Sequence, residues 1–233
     1  MSVNLNYRSD VKELMDDLDC SGAWVNQTLH ELDVINYWLG GNAVSLKGID
    51  HLLKKVATPI SIIDLGCGSG DLLKKMAVRF GNKLELGIGI DANPNIIEYA
   101  ANHCAGLNNL VFKSQNIFDE SFSRLKADIL HASLFLHHFK DEELILLLKI
   151  FKSQATLGIV ISDLHRHWLA YYSIKWLTKW FSKSVMVQND STLSVKRGFR
   201  RNEWIKILKA ADIHDFDISW KWAFRWQIII KFQ

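Results

Sequence analysis

The most restrictive feature of this chain is the segment 60–71, in which a run of strand-forming residues ends in a glycine-rich turn. The run closes on Asp64, glycine then occupies every second position at 66, 68 and 70, and a helical pattern follows. This order predicts a strand, a tight turn and the start of a helix. Glycine permits a positive φ and the close approach of a ligand, and the free N–H groups at a helix start attract an anion. The segment therefore predicts a turn that binds an anionic ligand.

Strands and helices alternate from this turn to residue 164. The predicted strands are 60–65, 84–91, 110–113, 127–135 and 156–164, and the predicted helices between them are 70–80, 95–104 and 141–152. This alternation predicts an α/β fold with a parallel sheet and right-handed crossovers. The remainder of the chain is predicted to form helices at 166–183 and 202–211 and two strands at 213–220 and 224–232.

Residues 1–58 precede the first strand and carry three predicted helices. These helices are 9–19, 21–39 and 42–56. In doubly wound proteins ligands bind at the carboxyl edge of the sheet. We therefore expect residues 1–58 to form a helical cap over that edge.

The spacing of the glycines narrows the choice of family. Dinucleotide-binding turns follow G-x-G-x-x-G and hydrolase elbows follow G-x-S-x-G, whereas this turn is G-x-G-x-G with an acidic residue two positions before the first glycine. The segment resembles the first motif of class I S-adenosylmethionine-dependent methyltransferases, and the resemblance covers residues 60–165. It implies a doubly wound, Rossmann-like and mostly parallel seven-stranded sheet with a C-terminal antiparallel hairpin. It also implies S-adenosyl-L-methionine as the cofactor and residues 59–233 as the methyltransferase domain, with an inserted aromatic lid at 166–200.

The predicted cofactor site follows the ends of the strands. Asp91 closes the second strand, where a carboxylate can accept hydrogen bonds from a ribose diol; a helix-capping role is the alternative. The resemblance implies that Asn116, where the family has Asp or Glu, contacts the adenine amino group and that Ile117 packs on the ring, although an ordinary surface turn would have the same sequence. The predicted cofactor-binding residues are Asp64, Gly66, Cys67, Gly68, Asp91, Ala92, Asn116, Ile117 and Ser133.

The end of the fourth strand carries adjacent histidines, His137 and His138, and resembles the fourth motif of small-molecule methyltransferases. Nucleic-acid methyltransferases have an Asx-Pro-Pro-aromatic segment or a Pro-Cys pair here, and both are missing, so we predict no nucleic-acid partner. A hydroxyl acceptor needs a base with a pKa near 7, for which histidine is the natural choice. We predict His138 or His137 as this base and His165 as a third candidate, because all of them follow parallel strands and should converge on one cleft. An extended segment turns the two side chains to opposite sides. His138 is slightly favoured, because His137 continues the alternation along one face of the strand, whereas His138 begins the loop over the cleft.

A metal site and purely structural histidines are the alternatives at this position. His137, Asp163 and His165 offer metal-ligand chemistry. The carboxyl end of the fourth strand offers no carboxylate, which metal-dependent catechol methyltransferases have there, so we predict no metal. His137 packing in the core and His165 capping the next helix are also consistent with the sequence.

The last third of the chain is basic and aromatic. Residues 165–233 carry 13 basic and 5 acidic side chains and seven of the nine tryptophans. In the helix 166–183 the residues Lys175, Lys179 and Lys183 form one stripe, opposite a wide aromatic arc. Such an arc is consistent with an ordinary lid helix, with cover by a bulky acceptor or a partner chain, or with adsorption to a membrane surface.

The favoured activity is methylation of a hydroxyl on a small aromatic, polyketide-like or lipid-like acceptor. Carbon or nitrogen acceptors are the nearer alternatives, and a non-catalytic cofactor-binding protein or an NAD(P)-linked reductase the more distant ones; the glycine spacing argues against the reductase. No run of about 18 apolar residues predicts a membrane span, and Cys20, Cys67 and Cys104 suit reduced thiols. We therefore expect a cytoplasmic monomer or homodimer with a hydrophobic or phenolic small-molecule acceptor.

Overall fold

The computed structural model describes residues 3–232. Its strands are β1 (Ile60–Leu65), β2 (Leu84–Asp91), β3 (Leu110–Ser114), β4 (Ala127–Ser133), β5 (Ala155–Leu164), β6 (Phe216–Lys221) and β7 (Arg225–Lys231). Its α-helices are α1 (Ala23–Trp38), α2 (Gly41–Leu53), α3 (Asp71–Phe80), α4 (Pro94–His103), α5 (Glu120–Ser123), α6 (Asp141–Gln154), α7 (Trp168–Phe181), α8 (Val185–Arg197) and α9 (Arg201–Ala210). Short 3₁₀ turns lie at Leu14–Asp16, Gly81–Lys83 and Leu136–His138. Among these helices, none combines the length and apolar character needed to cross a membrane.

The strands form one seven-stranded sheet in the order β3-β2-β1-β4-β5-β7-β6. The first five strands of the chain pair in parallel, and β7 is antiparallel to both β5 and β6. The predicted fold is confirmed, including the closing antiparallel hairpin. The order of strands reverses between β1 and β4, and this switch point is where doubly wound proteins bind their ligands.

Helices cover both faces of the sheet. Ile62 of β1 belongs to the core cluster that contains Ile49 of α2 and Met76 of α3. The next residue, Ile63, belongs to the cluster that contains Phe151 of α6 and Trp204 of α9. Successive strand residues point to opposite faces, so β1 supports both layers. With both faces covered, the carboxyl edge of the sheet is left for a site.

The N-terminal segment differs from its prediction. The helix expected at 9–19 is absent apart from the turn Leu14–Asp16. The carboxylate of Asp190 in α8 accepts hydrogen bonds from the backbone N–H of Leu14 (2.9 Å) and of Met15 (3.0 Å). The backbone of this segment therefore bonds to another element instead of closing its own helix. We refer to residues 8–16 as the strap.

The predicted lid, residues 166–200, consists of two helices. The first, α7, agrees with the aromatic helix expected at 166–183, whereas α8 was not predicted. The buried positions on one face of α8 have helical spacing but include two charged residues, which hid the apolar period. These positions are Met186, Asp190, Leu193 and Arg197.

Candidate functional site

A cavity of about 1080 Å³ lies at the carboxyl edge of the sheet, at the switch point. All nine residues predicted to bind the cofactor lie along it, together with His137 and His138. The strap, α1 and α8 complete its walls. The side chains of α7 do not line it, so the cover comes from α8 and the strap and not from the aromatic helix.

The glycine turn shapes one end of the cavity. Gly66, Gly68 and Gly70 have φ values of 64°, 51° and 75°, which residues other than glycine rarely adopt. A Cβ atom at Gly66 would come within 2.2 Å of the Phe135 ring. A Cβ atom at Gly68 would meet only Leu29, at 3.9 Å, so the space beside this turn is open. The turn thus leaves room for a ligand against its backbone.

Asp64 is the last residue but one of β1 and pairs with a histidine that the sequence did not indicate as its partner. Oδ1 of Asp64 and Nδ1 of His131 lie 2.6 Å apart, and both side chains are buried. The two residues face each other in the register of β1 and β4. A prediction of that register would have found the pair. The Asp64 carboxylate is therefore held by the sheet, and Asp64 is one of the residues that line the cavity.

Asp91 stands at the end of β2 with its carboxylate in the cavity wall. Its Oδ1 accepts a hydrogen bond from the backbone N–H of Asn93 (3.0 Å). The capping of α4 falls to Asn93, whose side chain accepts from the N–H of Asn95 (2.8 Å). Burial raises the pKa of Asp91, although nearby backbone N–H groups oppose this effect. A carboxylate in this setting gains from ligand hydroxyls that donate to it.

The segment after β3 carries the predicted adenine contacts. Ile117 is buried, whereas Asn116 is exposed. Oδ1 of Asn116 accepts from the N–H of Phe118 (3.0 Å), which fixes the turn. A carbonyl oxygen has a second lone pair, so Asn116 can still accept one hydrogen bond from a ligand amino group.

His137 is locked between two carboxylates. Its Nδ1 lies 2.7 Å from Oδ1 of Asp163, and its Nε2 lies 3.5 Å from Oε1 of Glu13 in the strap. Burial lowers the pKa of His137, but the charges and hydrogen bonds of Asp163 and Glu13 outweigh it and raise the pKa to about 9. His137 is thus an imidazolium at neutral pH. This charge state disfavours the predicted role of His137 as a base.

His138 has one nitrogen engaged. Its Nδ1 lies 2.5 Å from Oδ1 of Asp16 in the strap, and the side chain is partly exposed to the cavity. Oδ2 of Asp16 accepts a hydrogen bond from Arg197 at 2.6 Å. Burial raises the pKa of Asp16, but His138 and Arg197 outweigh it and hold that pKa below its usual range. Asp16 is therefore a fixed carboxylate that orients the imidazole. The two histidines lie in the 3₁₀ turn Leu136–His138, so the expectation that an extended segment separates them was wrong.

Arginines tie the strap to this turn. Arg197 donates to the backbone oxygens of His137 (3.2 Å) and His138 (2.6 Å). Arg8 donates to the oxygens of His137 (3.1 Å) and Phe139 (2.7 Å). The sequence offered no sign of these contacts, because the partners are about 60 and 130 residues apart. The strap thus closes the end of the cavity that carries the two histidines.

His165 lies elsewhere, which corrects its prediction. Its side chain lines a separate cavity of about 680 Å³ beside His167 and Arg200. Burial and the neighbouring cationic groups lower the pKa of His165 to about 4. The strand that leads to it ends in Leu164, which does line the main cavity, but the chain then turns away. The three candidate histidines therefore do not converge on one cleft.

The residues that could bind a metal in the structure differ from the set predicted from the sequence. His165 does not approach Asp163 and His137, whereas Glu13, His137 and His138 offer ligand atoms within 4.8 Å of one another. Each histidine already pairs through Nδ1 with a carboxylate. The guanidinium of Arg197 lies 3.8 Å from Oε1 of Glu13. A positive charge at this distance disfavours a further cation.

Asp33 of α1 is a site residue that the sequence analysis missed. Its Oδ1 accepts from the Ser69 hydroxyl in the glycine turn (2.7 Å), and its Oδ2 is buried without a hydrogen-bond partner. Burial raises the pKa of Asp33 to about 6, a shift that Ser69 opposes. This oxygen can accept from a cationic amine. Only the packing of α1 over the turn places it there.

Comparison with known proteins identifies the family of this chain. A family described as a methyltransferase domain matches residues 58–212. No protein with a curated description matches the sequence. The plantazolicin methyltransferase BpumL, solved with SAH and a pentazolic desmethylPZN analog, superposes with a TM-score of 0.68 at 17% identity over 90% of this chain and 93% of BpumL.

Two further solved structures are longer than this chain. Human N-acetylserotonin methyltransferase, solved with SAM, has a TM-score of 0.61 at 16% identity over 89% of this chain and 56% of the human one. An O-methyltransferase family protein from Burkholderia thailandensis has a TM-score of 0.61 at 17% identity over 87% and 59%. Since the domain match covers more than half of the sequence, the chain belongs to the class I S-adenosylmethionine-dependent methyltransferases.

Proposed function

We propose that the protein transfers a methyl group to a hydroxyl of a small aromatic, polyketide-like or lipid-like acceptor. The observation that carries this proposal is the pair of His138 and Asp16, which lines the same cavity as the glycine turn. A carboxylate that engages Nδ1 leaves Nε2 as the nitrogen that can take a proton. Such an arrangement suits the deprotonation of a hydroxyl.

The cofactor supplies an electrophilic methyl group when it is bound. We assign the ribose of the cofactor to Asp91 and its adenine to Asn116 and Ile117. The cationic amino group of its methionine part is assigned to Asp33. The open backbone at Gly68, the ionisable carboxyl of Asp91 and the unpartnered oxygen of Asp33 support these assignments. The residues present thus fit the donor and acceptor groups of the cofactor.

The protein's own contribution is to hold the acceptor and to move one proton. Orientation of the two reactants supplies a large part of the rate in such transfers. His138 takes the proton from the hydroxyl, and Asp16 stabilises the imidazolium that forms. His137 already carries a proton and serves to hold the strap. The likeness to an O-methyltransferase family protein supports an oxygen acceptor.

Substitution of His138 tests the proposal. We expect His138→Ala to lower turnover by about 10²–10⁴, the usual share of a general base, and to leave affinity for S-adenosylmethionine within about tenfold. The measurement is turnover by mass spectrometry on a panel of phenols, aliphatic alcohols and amines, with calorimetry for the cofactor. His30→Gln, an exposed histidine in α1, is the matched control.

Two results would contradict the proposal. Full turnover by His138→Ala with an unchanged pH profile would mean that orientation alone drives the transfer. Methylation confined to the amines of the panel would assign a nitrogen acceptor, for which a base of this kind is not required.

A further inference from the structure

Helix α7 exposes large apolar side chains along most of its length. Of its 14 residues, only Ala170 and Thr178 are buried. Trp176, Trp180 and Phe181 are 56%, 73% and 80% exposed. Scattered single apolar residues are normal on a protein surface, but a contiguous group of this size marks an interaction site.

The exposed surface continues beyond α7. The ring of Trp168 lies 5.7 Å from that of His167, which stacks on Phe224 at 5.6 Å. Phe224 in turn lies 6.3 Å from Trp222, which is 67% exposed. These contacts join the start of α7 to the turn between β6 and β7. We call the exposed side chains of this surface the aromatic face: Trp168, Trp176, Trp180, Phe181 and Trp222, with Lys175, Lys179 and Lys183.

The free charges that this surface presents are those of its lysines. The sequence contains no Asp or Glu between Leu164 and Asp190, and the Glu31 carboxylate beside the end of α7 is engaged by the backbone N–H groups of Lys183 (3.2 Å) and Ser184 (3.3 Å). The three lysines of the aromatic face are exposed, and Nζ of Lys179 lies 5.6 Å from the Trp176 ring. The lysine stripe therefore borders the aromatic side chains and does not lie opposite them, in contrast to the prediction from the sequence. The basic residue nearest to the start of α7, Arg166, is buried and paired with Glu203. The free charge on the face is therefore positive.

We propose that the aromatic face binds the surface of an anionic lipid bilayer. Tryptophan is favoured at the level of the lipid headgroups, and lysine beside it is attracted by anionic lipids. A helix with apolar and cationic side chains lies in the plane of the interface and does not cross it. The 14 residues of α7 extend about 21 Å, which is too short to cross the hydrocarbon core.

A second copy of the chain fits this surface less well. A two-fold interface places the same patch against itself. It would bring lysines from both copies together without acidic side chains from the aromatic face to pair with them, and like charges at an interface oppose association. An anionic bilayer supplies the missing negative charge. The inference does not depend on the identity of the methyl acceptor.

Vesicle sedimentation with the full-length protein tests the proposal. We expect the protein to sediment with vesicles of phosphatidylcholine and phosphatidylglycerol and to remain largely in solution with vesicles of phosphatidylcholine alone. Removal of each lysine should lower the partition coefficient about fivefold, so Lys175→Gln/Lys179→Gln/Lys183→Gln should lower it about a hundredfold. Salt should weaken binding of the wild-type protein through charge screening.

The aromatic side chains need their own variant and controls. Trp176→Ser/Trp180→Ser/Phe181→Ser should lower the partition coefficient by at least tenfold, because the apolar surface drives insertion. The matched controls lie on other surfaces: Val78→Ser/Leu146→Ser for the apolar side chains and Lys113→Gln/Lys149→Gln/Lys209→Gln for the charges. Cofactor affinity by calorimetry should be unchanged in all variants, which confirms that they fold. A loss of cofactor binding in the wild-type protein would instead count against the proposed function alone.

Three outcomes would overturn the proposal. They are equal binding to both kinds of vesicle, no binding to either, and binding that the aromatic variant keeps in full. Sedimentation equilibrium tests whether the partner is instead a second copy of the chain. If the protein does not bind vesicles but forms a dimer that the aromatic variant abolishes, the face is assigned to a second copy.

Discussion

At the scale of single residues, the pair of adjacent histidines shows how environment separates two identical side chains. His137 lies between Asp163 and Glu13, whereas His138 lies beside Asp16 at the cavity. The sequence predicted that one of the two would differ from the other, but the reason is the surrounding carboxylates and not the direction of a strand. These carboxylates come from β5 and from the strap, which no local pattern could place.

The protonation of His137 predicts how stability depends on pH. Its pKa is about 9 in the folded protein, above the ordinary value near 6.5. A raised pKa stabilises the folded protein fully below the unfolded value, and the stabilisation is lost as the pH rises through the folded value. The free energy of unfolding should therefore fall between pH 6.5 and 9, by on the order of 3 kcal/mol from this residue.

The variant His137→Gln checks this assignment. We expect its unfolding free energy to be lower overall, since two buried carboxylates lose a cation, and to vary less between pH 6.5 and 9 than that of the wild-type protein. Urea unfolding followed by circular dichroism at several pH values gives both quantities. An exposed histidine variant, His30→Gln, should keep the wild-type slope. A slope in His137→Gln equal to that of the wild-type protein would mean that His137 is neutral in the folded state.

At the scale of elements, the strands and helices whose apolar residues recur with a regular period agreed with their predictions. The five parallel strands and α3, α4 and α6 begin and end within about two residues of the predicted bounds. The short helix α5 was not predicted, and two larger elements, the strap and α8, were misjudged. The strap and α8 are held by charged groups that bond to each other across the fold. Arg197 and Asp190 occupy buried positions of α8, where sequence patterns lead one to expect apolar residues. The sequence therefore did not predict the cavity wall that they form, although it did predict the nine cofactor residues along the cavity.

Loss of the Asp190 carboxylate should release the strap. Its two oxygens accept the N–H groups of Leu14 and Met15, and hydrogen bonds to a charged group contribute about 1.5–3 kcal/mol each. We expect Asp190→Ala to speed hydrogen exchange at these two amides by at least tenfold while the amides of β1 stay protected. Mass-spectrometric exchange measures both. Thr192→Ala, on the same helix with only a local bond to Asn189, is the matched control, and equal protection in both variants would show that other contacts hold the strap.

At the scale of the whole molecule, the cavity divides into two ends with different supports. The glycine turn, Asp91 and Ile117 follow strands of the sheet, and their positions could be predicted from the alternation of strands and helices. The other end depends on the strap, which lies about 120 residues before the histidines that it contacts. Helix α2 belongs to the predicted cap by sequence, but its Ile49 packs in the core of the sheet. The part of the N-terminal region that contacts the two histidines is therefore the strap, and α2 supports the sheet.

Removal of residues 1–16 should separate cofactor binding from methyl transfer. The residues assigned to the cofactor, including Asp33 in α1, all remain, so we expect affinity for S-adenosylmethionine within about tenfold of the full chain. We expect turnover to fall by at least about 10², the lower limit for loss of a general base. His138 loses the carboxylate of Asp16, and the end of the cavity proposed to hold the acceptor opens to water. Calorimetry and the mass-spectrometric assay measure the two effects, with thermal unfolding to confirm the fold. The full-length variant Glu13→Gln/Asp16→Asn isolates the electrostatic part, since it keeps the cover but removes both charges. Turnover at the full rate by the shortened chain would show that the strap is neither the cover of the acceptor nor the support of its base.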